Sequence, residues 1–348
     1  MIPVKGYAAQ NPKAPLAPHK FERRDLGLHD VLIDIKYCGV CHSDLHMARD
    51  EWGGSMYPLV PGHEIVGTVN KVGSSVKKFK AGDLAGVGVI VDSCRTCTSC
   101  KQGLEQYCEV HWVPTYSGYE MDMKSITYGG YSNQIVTDEN FVLRISEKFK
   151  LEGVAPLLCA GITTYSPLRH WKVGKANNKV GVVGLGGLGH MAVKFAASFG
   201  ADVTMLSTST SKQADAKRLG AMHFVNTRDE EAMKKNKNQF DVIINTISAS
   251  HDINSYVSLL KLDGAMVMVG IPPEDPSLFV SGLISKRRTI AGSMIGGMKE
   301  TQEMLDYCAE KDIVSDVEVI AMKDINAAYE RMIKGDVRYR FVIDMSTL

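Results

Sequence analysis

Apolar and polar residues alternate in short runs over roughly the first 149 residues of the chain. Glycine, proline or aspartate interrupts the pattern at short intervals, and runs such as HDVLIDIKY and HEIVGTVNKV lie between these interruptions. Alternation places apolar side chains on one face of a strand, while the interrupting residues favour tight turns. The pattern therefore predicts an antiparallel, mainly β domain.

From about residue 180 the pattern changes to apolar runs of strand length separated by segments of helical periodicity. The apolar runs are KVGVVG, DVTMLS, HFVNT, FDVIINT and AMVMVGI. In the first helical segment the apolar residues recur at steps of three and four and line one face: Leu188, Met191, Ala192, Phe195, Ala196 and Phe199. Strands buried on both faces and joined by helices are typical of a parallel sheet. An α/β fold is predicted, with a doubly wound parallel sheet after the mainly β domain.

Length, charge and the N-terminal residues narrow the class of protein. A chain of 348 residues is long for a single core, so two domains are expected. The net charge of +1, without long blocks of like charge, indicates a small-molecule partner rather than nucleic acid. The most apolar segment, VGVVGLGGLGHMAVKFAASFGA, contains glycines, a histidine and a lysine, which favour a strand, turn and helix over a membrane span. Without a recognisable signal peptide, we expect the protein in the cytoplasm.

A glycine-rich turn joins the first strand of the second region to its first helix. The turn reads GLGGLG and matches the dinucleotide fingerprint G-x-G-x-x-G between a predicted strand and helix. Glycines let the backbone approach a pyrophosphate, and the helix N-terminus favours an anion through its N–H groups and dipole. This context favours dinucleotide binding over a turn without a ligand. The expected contacts are Gly184, Gly186, Gly187, Leu188 and Gly189.

The end of the second strand indicates which dinucleotide is bound. An NAD site usually carries Asp or Glu about twenty residues after the glycines, whereas this chain reads LSTSTSK there. Hydroxyl groups and one lysine can instead surround the 2′-phosphate of NADP(H). We therefore predict NADP(H), bound through Ser207, Thr208, Ser209 and Lys212. The hydroxyls also suit an N-cap of the next helix, and the two roles are compatible.

Four cysteines lie within fifteen residues, in the stretch CRTCTSCKQGLEQYC. Disulfides are rare in the cytoplasm, so metal binding is favoured over disulfide formation. Four thiolates form a closed tetrahedral zinc site that leaves no position for a substrate, which makes the site structural. An iron–sulfur cluster is the alternative, although the further cysteine and proline of the bacterial ferredoxin run are missing. The predicted ligands are Cys94, Cys97, Cys100 and Cys108.

The segment from Gly62 to Val76 reads GHEIVGTVNKVGSSV and fits the pattern G-H-E-x2-G-x5-G-x2-V at every fixed position. In this signature the chain resembles the zinc-dependent medium-chain alcohol dehydrogenases, most closely the cinnamyl alcohol dehydrogenase branch. CGVCHSDLH, TYGGYSN, LLCAGITTYSPL and DVRYRFVID extend the resemblance over essentially the whole chain. It implies a GroES-like catalytic domain over residues 1–152, an NADP-binding Rossmann domain over 153–294, and a return to the catalytic domain over 295–348.

The resemblance implies that Cys41, His63 and Cys159 bind a catalytic zinc, so that the chain holds two zinc ions. Considered alone, Cys159 in LLCAG would be interpreted as a small buried apolar residue. Two thiolates and one imidazole suit a zinc that keeps one position open for an alcohol or carbonyl. Glu64 resembles the acid that assists ligand exchange, and Asp44 resembles the acid that orients His63.

The resemblance also implies roles for residues around this zinc. Ser43 corresponds to the hydroxyl that bonds the zinc-bound oxygen, and His46 to the solvent end of a proton relay. Thr163 corresponds to a nicotinamide contact. His42 occupies a position near the pyrophosphate, with a plain surface histidine as the alternative. Pocket residues are less specific, because each could be an ordinary core residue: Trp52, Trp112, Met294 and Ile295.

Taken together, these features predict a zinc-dependent, NADP(H)-dependent alcohol dehydrogenase or aldehyde reductase acting on primary alcohols and aldehydes. Aromatic pocket walls favour cinnamyl or benzyl substrates. One alternative is a polyol dehydrogenase, which would require the missing NAD-binding acid. Another is a zinc-stabilised NADPH-binding protein without turnover. The resemblance further implies a homodimer in which a strand at about residues 283–293 pairs across a two-fold axis.

Overall fold

The computed structural model describes residues 1–174 and 178–348, which divide into two compact units. The first unit contains Met1–Ile162 and Gly296–Leu348, and the second contains Thr163–Ile295. The elements that begin in the first stretch are β1 (Ile2–Ala8), β2 (Ala17–Arg23), β3 (Asp30–Val40), α1 (His42–Ala48), β4 (Ile65–Val72), β5 (Leu84–Val87), β6 (Ile90–Ser93), α2 (Thr98–Lys101), β7 (Trp112–Pro114), β8 (Gln134–Asp138), β9 (Leu143–Arg144), α3 (Leu151–Val154) and α4 (Ala160–His170). The unit boundary falls within α4.

The second unit alternates strands and helices. Its elements are β10 (Lys179–Val183), α5 (Gly189–Ser198), β11 (Asp202–Ser207), α6 (Gln213–Leu219), β12 (His223–Asn226), α7 (Glu230–Lys235), β13 (Phe240–Asn245), α8 (Ile253–Val257), β14 (Leu260–Met268), α9 (Val280–Ile284) and β15 (Thr289–Gly292). The strands form a six-stranded sheet of order β12-β11-β10-β13-β14-β15, and all of its pairs are parallel. The order reverses between β10 and β13, which is where such sheets bind ligands.

The chain then returns to the first unit with four elements: α10 (Met298–Lys311), β16 (Val317–Ala321), α11 (Ile325–Ile333) and β17 (Arg340–Asp344). The main sheet of this unit has seven strands, in the order β16-β17-β3-β4-β5-β9, with β8 also paired to β3. Its pairs are antiparallel except β16 with β17, because α11 provides the crossover that a parallel pair requires. The alternation of apolar and polar residues in the sequence did not predict this parallel pair.

Each unit has its own apolar core. In the second unit, α5 buries Met191, Ala192, Phe195 and Ala196 against the sheet, as its periodicity predicts. Among the described residues, no helix is long and apolar enough to cross a bilayer. The predicted fold class, a mainly β region combined with a doubly wound parallel sheet, is confirmed.

Candidate catalytic and metal-binding sites

Cys41, His63, Glu64 and Cys159 form a buried group of candidate metal ligands, here called the catalytic cluster. One ligand atom from each residue lies within 4.8 Å of the others. Antiparallel pairing of β3 with β4 explains part of this grouping, because Cys41 directly follows β3 while His63 and Glu64 directly precede β4. Two sulfurs, one imidazole and a nearby carboxylate suit a catalytic zinc with an exchangeable position.

The two thiols of the catalytic cluster have different proton affinities. The hydrogen bond with Cys159 lowers the pKa of Cys41 well below its usual value, and Arg340 and His63 act in the same direction against burial. The same hydrogen bond and burial raise the pKa of Cys159 well above its usual value. Metals bind the thiolate form of cysteine, so metal binding favours loss of the proton from both thiols.

Asp44 lies behind His63 and is completely buried. Its carboxylate accepts hydrogen bonds from the backbone N–H groups of Cys41 at 2.9 Å and Gly62 at 3.0 Å, and from the Tyr131 hydroxyl at 3.3 Å. Its Oδ1 also lies 3.1 Å from Nδ1 of His63. Burial lowers the pKa of His63, but the charge and hydrogen bond of Asp44 outweigh it and raise the pKa well above its usual value. The contact through Nδ1 fixes the ring and leaves Nε2 for the cluster.

Glu64 is paired with Arg340, a residue of β17 that the sequence analysis did not identify. Both side chains are buried. Burial raises the pKa of Glu64 to about 7, although Arg340 opposes this effect. Oε2 of Glu64 has no hydrogen-bond partner among the described residues. Arg340 lies 276 residues after Glu64, so no local pattern could have indicated the pair.

Ser43 and His46 lie one turn apart on α1, beside the catalytic cluster. The Ser43 hydroxyl is 3.7 Å from the Cys41 sulfur. Nδ1 of His46 lies 2.5 Å from Oε2 of Glu51, and the ring centroids of His46 and Trp52 are 4.9 Å apart. Glu51, which the sequence analysis did not identify, thus fixes the orientation of the predicted relay histidine.

The remaining predicted residues lie in varied surroundings. His42 is on α1, where burial lowers the pKa of its ring. Trp112 begins β7 opposite Ser93, and Thr163 is buried in α4. Met294 and Ile295 end the second unit, with Met294 exposed and Ile295 buried.

The other four sulfurs belong to a surface segment, residues 90–114, here called the cysteine lobe. Cys94, Cys97, Cys100 and Cys108 also place their ligand atoms within 4.8 Å of one another. The backbone N–H of Cys97 donates to the Cys94 sulfur at 3.3 Å, and the N–H of Cys100 donates to the Cys97 sulfur at 3.4 Å. Backbone N–H groups of Thr96 and Cys97 lower the pKa of Cys94 to about 6. Polarised sulfurs without a disulfide suit a closed four-thiolate metal site.

The glycine-rich turn, residues 184–189, connects β10 to α5 at the reversal of strand order. Gly184 has φ of 87°, a conformation that favours glycine. A Cβ at Gly189 would overlap the carbonyl oxygen of Gly184, so helix and turn pack closely only with glycine there. Around Gly186 no atom of the described residues, apart from its chain neighbours, lies within 4 Å of a Cβ position. Leu188 is the residue just before α5 and, with the half-buried Gly187, completes the turn.

The predicted phosphate-binding segment lies next to this turn. The Lys212 ammonium donates to the carbonyl oxygen of Leu185 in the turn at 2.8 Å. Ser207 ends β11, and its hydroxyl accepts from the Ser209 backbone N–H at 3.3 Å, while Thr208 between them is exposed. The structure thus brings Lys212 to the glycine-rich turn, and the three hydroxyl residues lie at the end of β11 and just after it.

Known protein families and relatives match nearly the whole chain. Residues 27–147 match the alcohol dehydrogenase GroES-like domain, and residues 187–310 match the zinc-binding dehydrogenase domain. The chain is 54% identical to the aldehyde reductase YahK of Escherichia coli (strain K12), covering 99% of both chains. It is 53% identical to NADP-dependent alcohol dehydrogenase C 1 of Mycolicibacterium smegmatis, covering 100% of this chain and 99% of the relative.

Solved structures extend the similarity to the fold. A cinnamyl alcohol dehydrogenase from Sorghum bicolor superposes with a TM-score of 0.96 at 46% identity, covering 99% of this chain and 98% of that one. A protein described as CAD from Helicobacter pylori, complexed with NADP(H), superposes with a TM-score of 0.93 at 45% identity and 99% coverage of both chains.

Proposed function

Because the chain belongs to the zinc-dependent alcohol dehydrogenase family, we propose that it interconverts primary alcohols and aldehydes with NADP(H). The observation that carries this proposal is the buried catalytic cluster, in which Cys41, His63 and Cys159 offer three candidate zinc-ligand atoms within 4.8 Å of one another. The names of the relatives support the same chemistry, since they include an aldehyde reductase and an NADP-dependent alcohol dehydrogenase.

In this proposal some residues of the site bind the metal and others transfer the substrate proton. When bound, zinc supplies a Lewis acid and NADP(H) supplies or accepts the hydride. Thiolates at Cys41 and Cys159 neutralise the charge of the cation, which favours exchange of neutral alcohol and carbonyl ligands. Ser43 holds the hydroxyl proton of the substrate, and His46 transfers that proton to or from solvent.

We assign the 2′-phosphate of NADP(H) to Ser207, Thr208, Ser209 and Lys212. A charge-assisted hydrogen bond from Lys212 contributes about 1.5 to 3 kcal/mol, and neutral hydroxyl donors contribute less. Lys212→Ala should therefore reduce kcat/KM with NADPH by roughly ten- to a hundredfold and leave kcat/KM with NADH nearly unchanged. Equal losses with both cofactors would show that Lys212 supports only the glycine-rich turn.

Aromatic aldehydes are the substrates that we propose, in keeping with the name of the Sorghum bicolor relative. The roles of Trp52, Trp112, Met294 and Ile295 in substrate binding stay predictions, as do those of Thr163 and His42 in cofactor binding. A polyol dehydrogenase is disfavoured because the end of β11 has no acid. A protein without turnover is disfavoured because Ser43 and His46 accompany the complete ligand set.

We further propose a cytoplasmic homodimer paired through β15. β15 is an outer strand of the six-stranded sheet. Large apolar side chains just before it are exposed, namely Phe279 at 66% and Ile284 at 76%. An exposed strand edge next to apolar side chains is a natural pairing surface. A monomer in light scattering at micromolar concentration would contradict the assembly and leave the activity untouched.

One assay tests the proposed function directly. Zinc-loaded protein is mixed with cinnamaldehyde, benzaldehyde or a short aliphatic aldehyde, each with NADPH and with NADH, and oxidation of the cofactor is followed by absorbance. We expect turnover to be fastest with an aromatic aldehyde and NADPH. Absence of turnover with every pair, in protein that contains both metals, would contradict the proposal.

A further inference from the structure

Glu105 connects the cysteine lobe to the N-terminus of α10. It lies in a short helical turn between the metal-ligand candidates Cys100 and Cys108. Its Oε2 accepts a hydrogen bond of 3.0 Å from the backbone N–H of Met298, which is 193 residues away. Gly297, the N-cap of α10, has no side chain to cap the helix. Glu105 therefore replaces the missing cap and places its negative charge at the positive end of the helix dipole.

The lobe packs so closely on this helix that the fit depends on glycine. A Cβ at Gly297 would overlap the carbonyl oxygen of Gly103 and would lie 2.5 Å from Oε2 of Glu105. Gly297 has φ of −73°, which any residue adopts, so its backbone conformation does not demand glycine. The absence of a side chain at Gly297 is therefore explained by contact with the lobe.

The residue before the N-cap of α10 and a residue within the helix pack on the segment that follows Cys159. Gly296 packs so closely on Ile162 that an added Cβ would lie 2.6 Å from its Cδ1 atom. The Met304 sulfur, on the same helix, lies 3.4 Å from the Cβ position of Gly161. Gly161 and Ile162 follow Cys159, a ligand of the catalytic cluster, by two and three residues. The segment from Gly296 to Met304 is thus packed between the cysteine lobe and the segment that carries Cys159.

We propose that Glu105 is a positioning residue that couples the two metal sites. In this proposal the lobe metal holds the loop from Cys100 to Cys108, and Glu105 in that loop holds the first turn of α10. That turn, together with Gly296 just before it and Met304 further along the helix, holds the segment that carries Cys159. The inference rests on the two-metal interpretation in the proposed function. It gives the cysteine lobe a role in retaining the catalytic metal, beyond stabilising its own segment.

The chain offers a matched control for testing Glu105. Glu109 lies in the same lobe and accepts from the Ser99 backbone N–H at 3.1 Å and from its hydroxyl at 2.9 Å, so its contacts stay inside the lobe. Glu105→Ala removes the contact with α10, whereas Glu105→Gln keeps an acceptor oxygen. Gly297→Ala breaks the same contact from the helix side and serves as the second variant if Glu105→Ala does not fold. Glu109→Ala is the control.

The experiment measures metal release without substrate or NADP(H). Protein with Co²⁺ in the catalytic site and Zn²⁺ in the lobe is mixed with a chelator, and loss of the cobalt absorption gives the release rate. Amide hydrogen exchange of residues 298–302 reports on the first turn of α10. We expect Glu105→Ala and Gly297→Ala to accelerate both processes by about three- to tenfold, the range typical of a lost helix cap. Glu105→Gln and Glu109→Ala should stay close to the parent.

Two results would overturn the proposal. The first is faster amide exchange in Glu105→Ala with an unchanged rate of cobalt release, which would confine the effect of Glu105 to the helix. The second is equal acceleration of cobalt release by Glu109→Ala, which would indicate general loosening of the lobe. A failure of the proposed function is distinguishable, since it would appear as absent turnover in the parent protein while these rates remain measurable.

Discussion

The catalytic cluster and the cysteine lobe contain similar ligands but are built in opposite ways. Cys41, His63 and Cys159 come from three distant segments and are buried among charged partners. The four lobe cysteines come from a single loop, and three of them are partly exposed. Backbone N–H groups polarise the lobe sulfurs, whereas Asp44 and Arg340 provide the charges around the cluster. A locally built site suits a structural metal, and a site assembled by the whole fold suits exchange and chemistry.

The largest effect is expected from a substitution that disrupts the catalytic cluster and leaves the cysteine lobe intact. Cys159→Ala removes one of three ligands, so the variant should lose one of its two zinc ions and all measurable turnover, while keeping its fold. Cys308→Ala is the matched control, because Cys308 is equally buried but lies outside both metal sites. Metal analysis, circular dichroism and the aldehyde assay check the outcome. Loss of both metals would mean that the two sites are not separate.

The contrast between the two sites also decides what could be predicted from the sequence. The lobe was predictable from cysteine spacing, and the dinucleotide turn from glycine spacing, because those neighbours in space are neighbours in the chain. Placing Cys159 in the cluster needed the family resemblance, since a lone cysteine in an apolar segment has no distinctive signal. The family and the fold class are confirmed, whereas the individual site residues and the domain boundaries stay predictions.

Two of the three contacts that the sequence analysis missed are made across the fold, and the third is local. Arg340 reaches Glu64 from the last strand, and Glu105 reaches Met298 from the lobe. Glu51 is only five residues from His46, but nothing in the local pattern distinguishes it from an ordinary surface acid. The two long-range pairs depend on tertiary packing, and none of the three pairs leaves a periodic trace in the chain.

The second prediction compares an ion pair in each region. Arg340→Met should lower the free energy of unfolding by about 3 to 5 kcal/mol, because Glu64 is left buried without its partner. Arg95→Met, which removes a partly exposed partner of Asp92 in the lobe and of Asp138 in β8, should lower it by about 1 kcal/mol or less. Urea denaturation measures both.

The double variant Arg340→Met with Glu64→Gln is the control for that comparison. It removes the buried charge, so most of the lost stability should return. Similar losses for Arg340→Met and Arg95→Met would show that burial does not distinguish the two ion pairs.

The third prediction concerns a substitution that weakens the cysteine lobe and leaves the rate of the chemical step unchanged. Cys100→Ser leaves three thiolates and one hydroxyl, so the variant should lose the lobe metal and melt at a temperature lower by several degrees. Once the catalytic metal is loaded, the single-turnover rate of the variant should stay within about twofold of the parent, because Cys100 belongs to the lobe cysteines and not to the catalytic cluster. A variant that retains its zinc and melts like the parent would show that the cluster of cysteines is not a structural site.

The smallest expected effects come from one hydroxyl beside each metal site. The Tyr131 hydroxyl lies 3.3 Å from Asp44, and the Ser93 hydroxyl lies 3.3 Å from the Cys100 sulfur. The first distance is long for a hydrogen bond between two oxygens, and the second is ordinary for a hydrogen bond that involves sulfur. We therefore expect that neither residue holds its site alone. Asp44 also keeps two backbone N–H donors when Tyr131 is changed to Phe.

Tyr131→Phe should therefore lower zinc affinity at the catalytic cluster by about three- to tenfold, at or below the lower end of the range for residues that support a ligand directly. Ser93→Ala should have a similar or smaller effect on the lobe alone. Competition with a chromophoric chelator measures each site while the other is loaded. Because Tyr131 acts through Asp44 and His63, its effect must be absent from the lobe. An equal loss of zinc affinity at both sites in Tyr131→Phe would mean that the hydroxyl stabilises the first unit as a whole. The distinction between a site assembled by the whole fold and a site formed by one loop would then not hold at this residue.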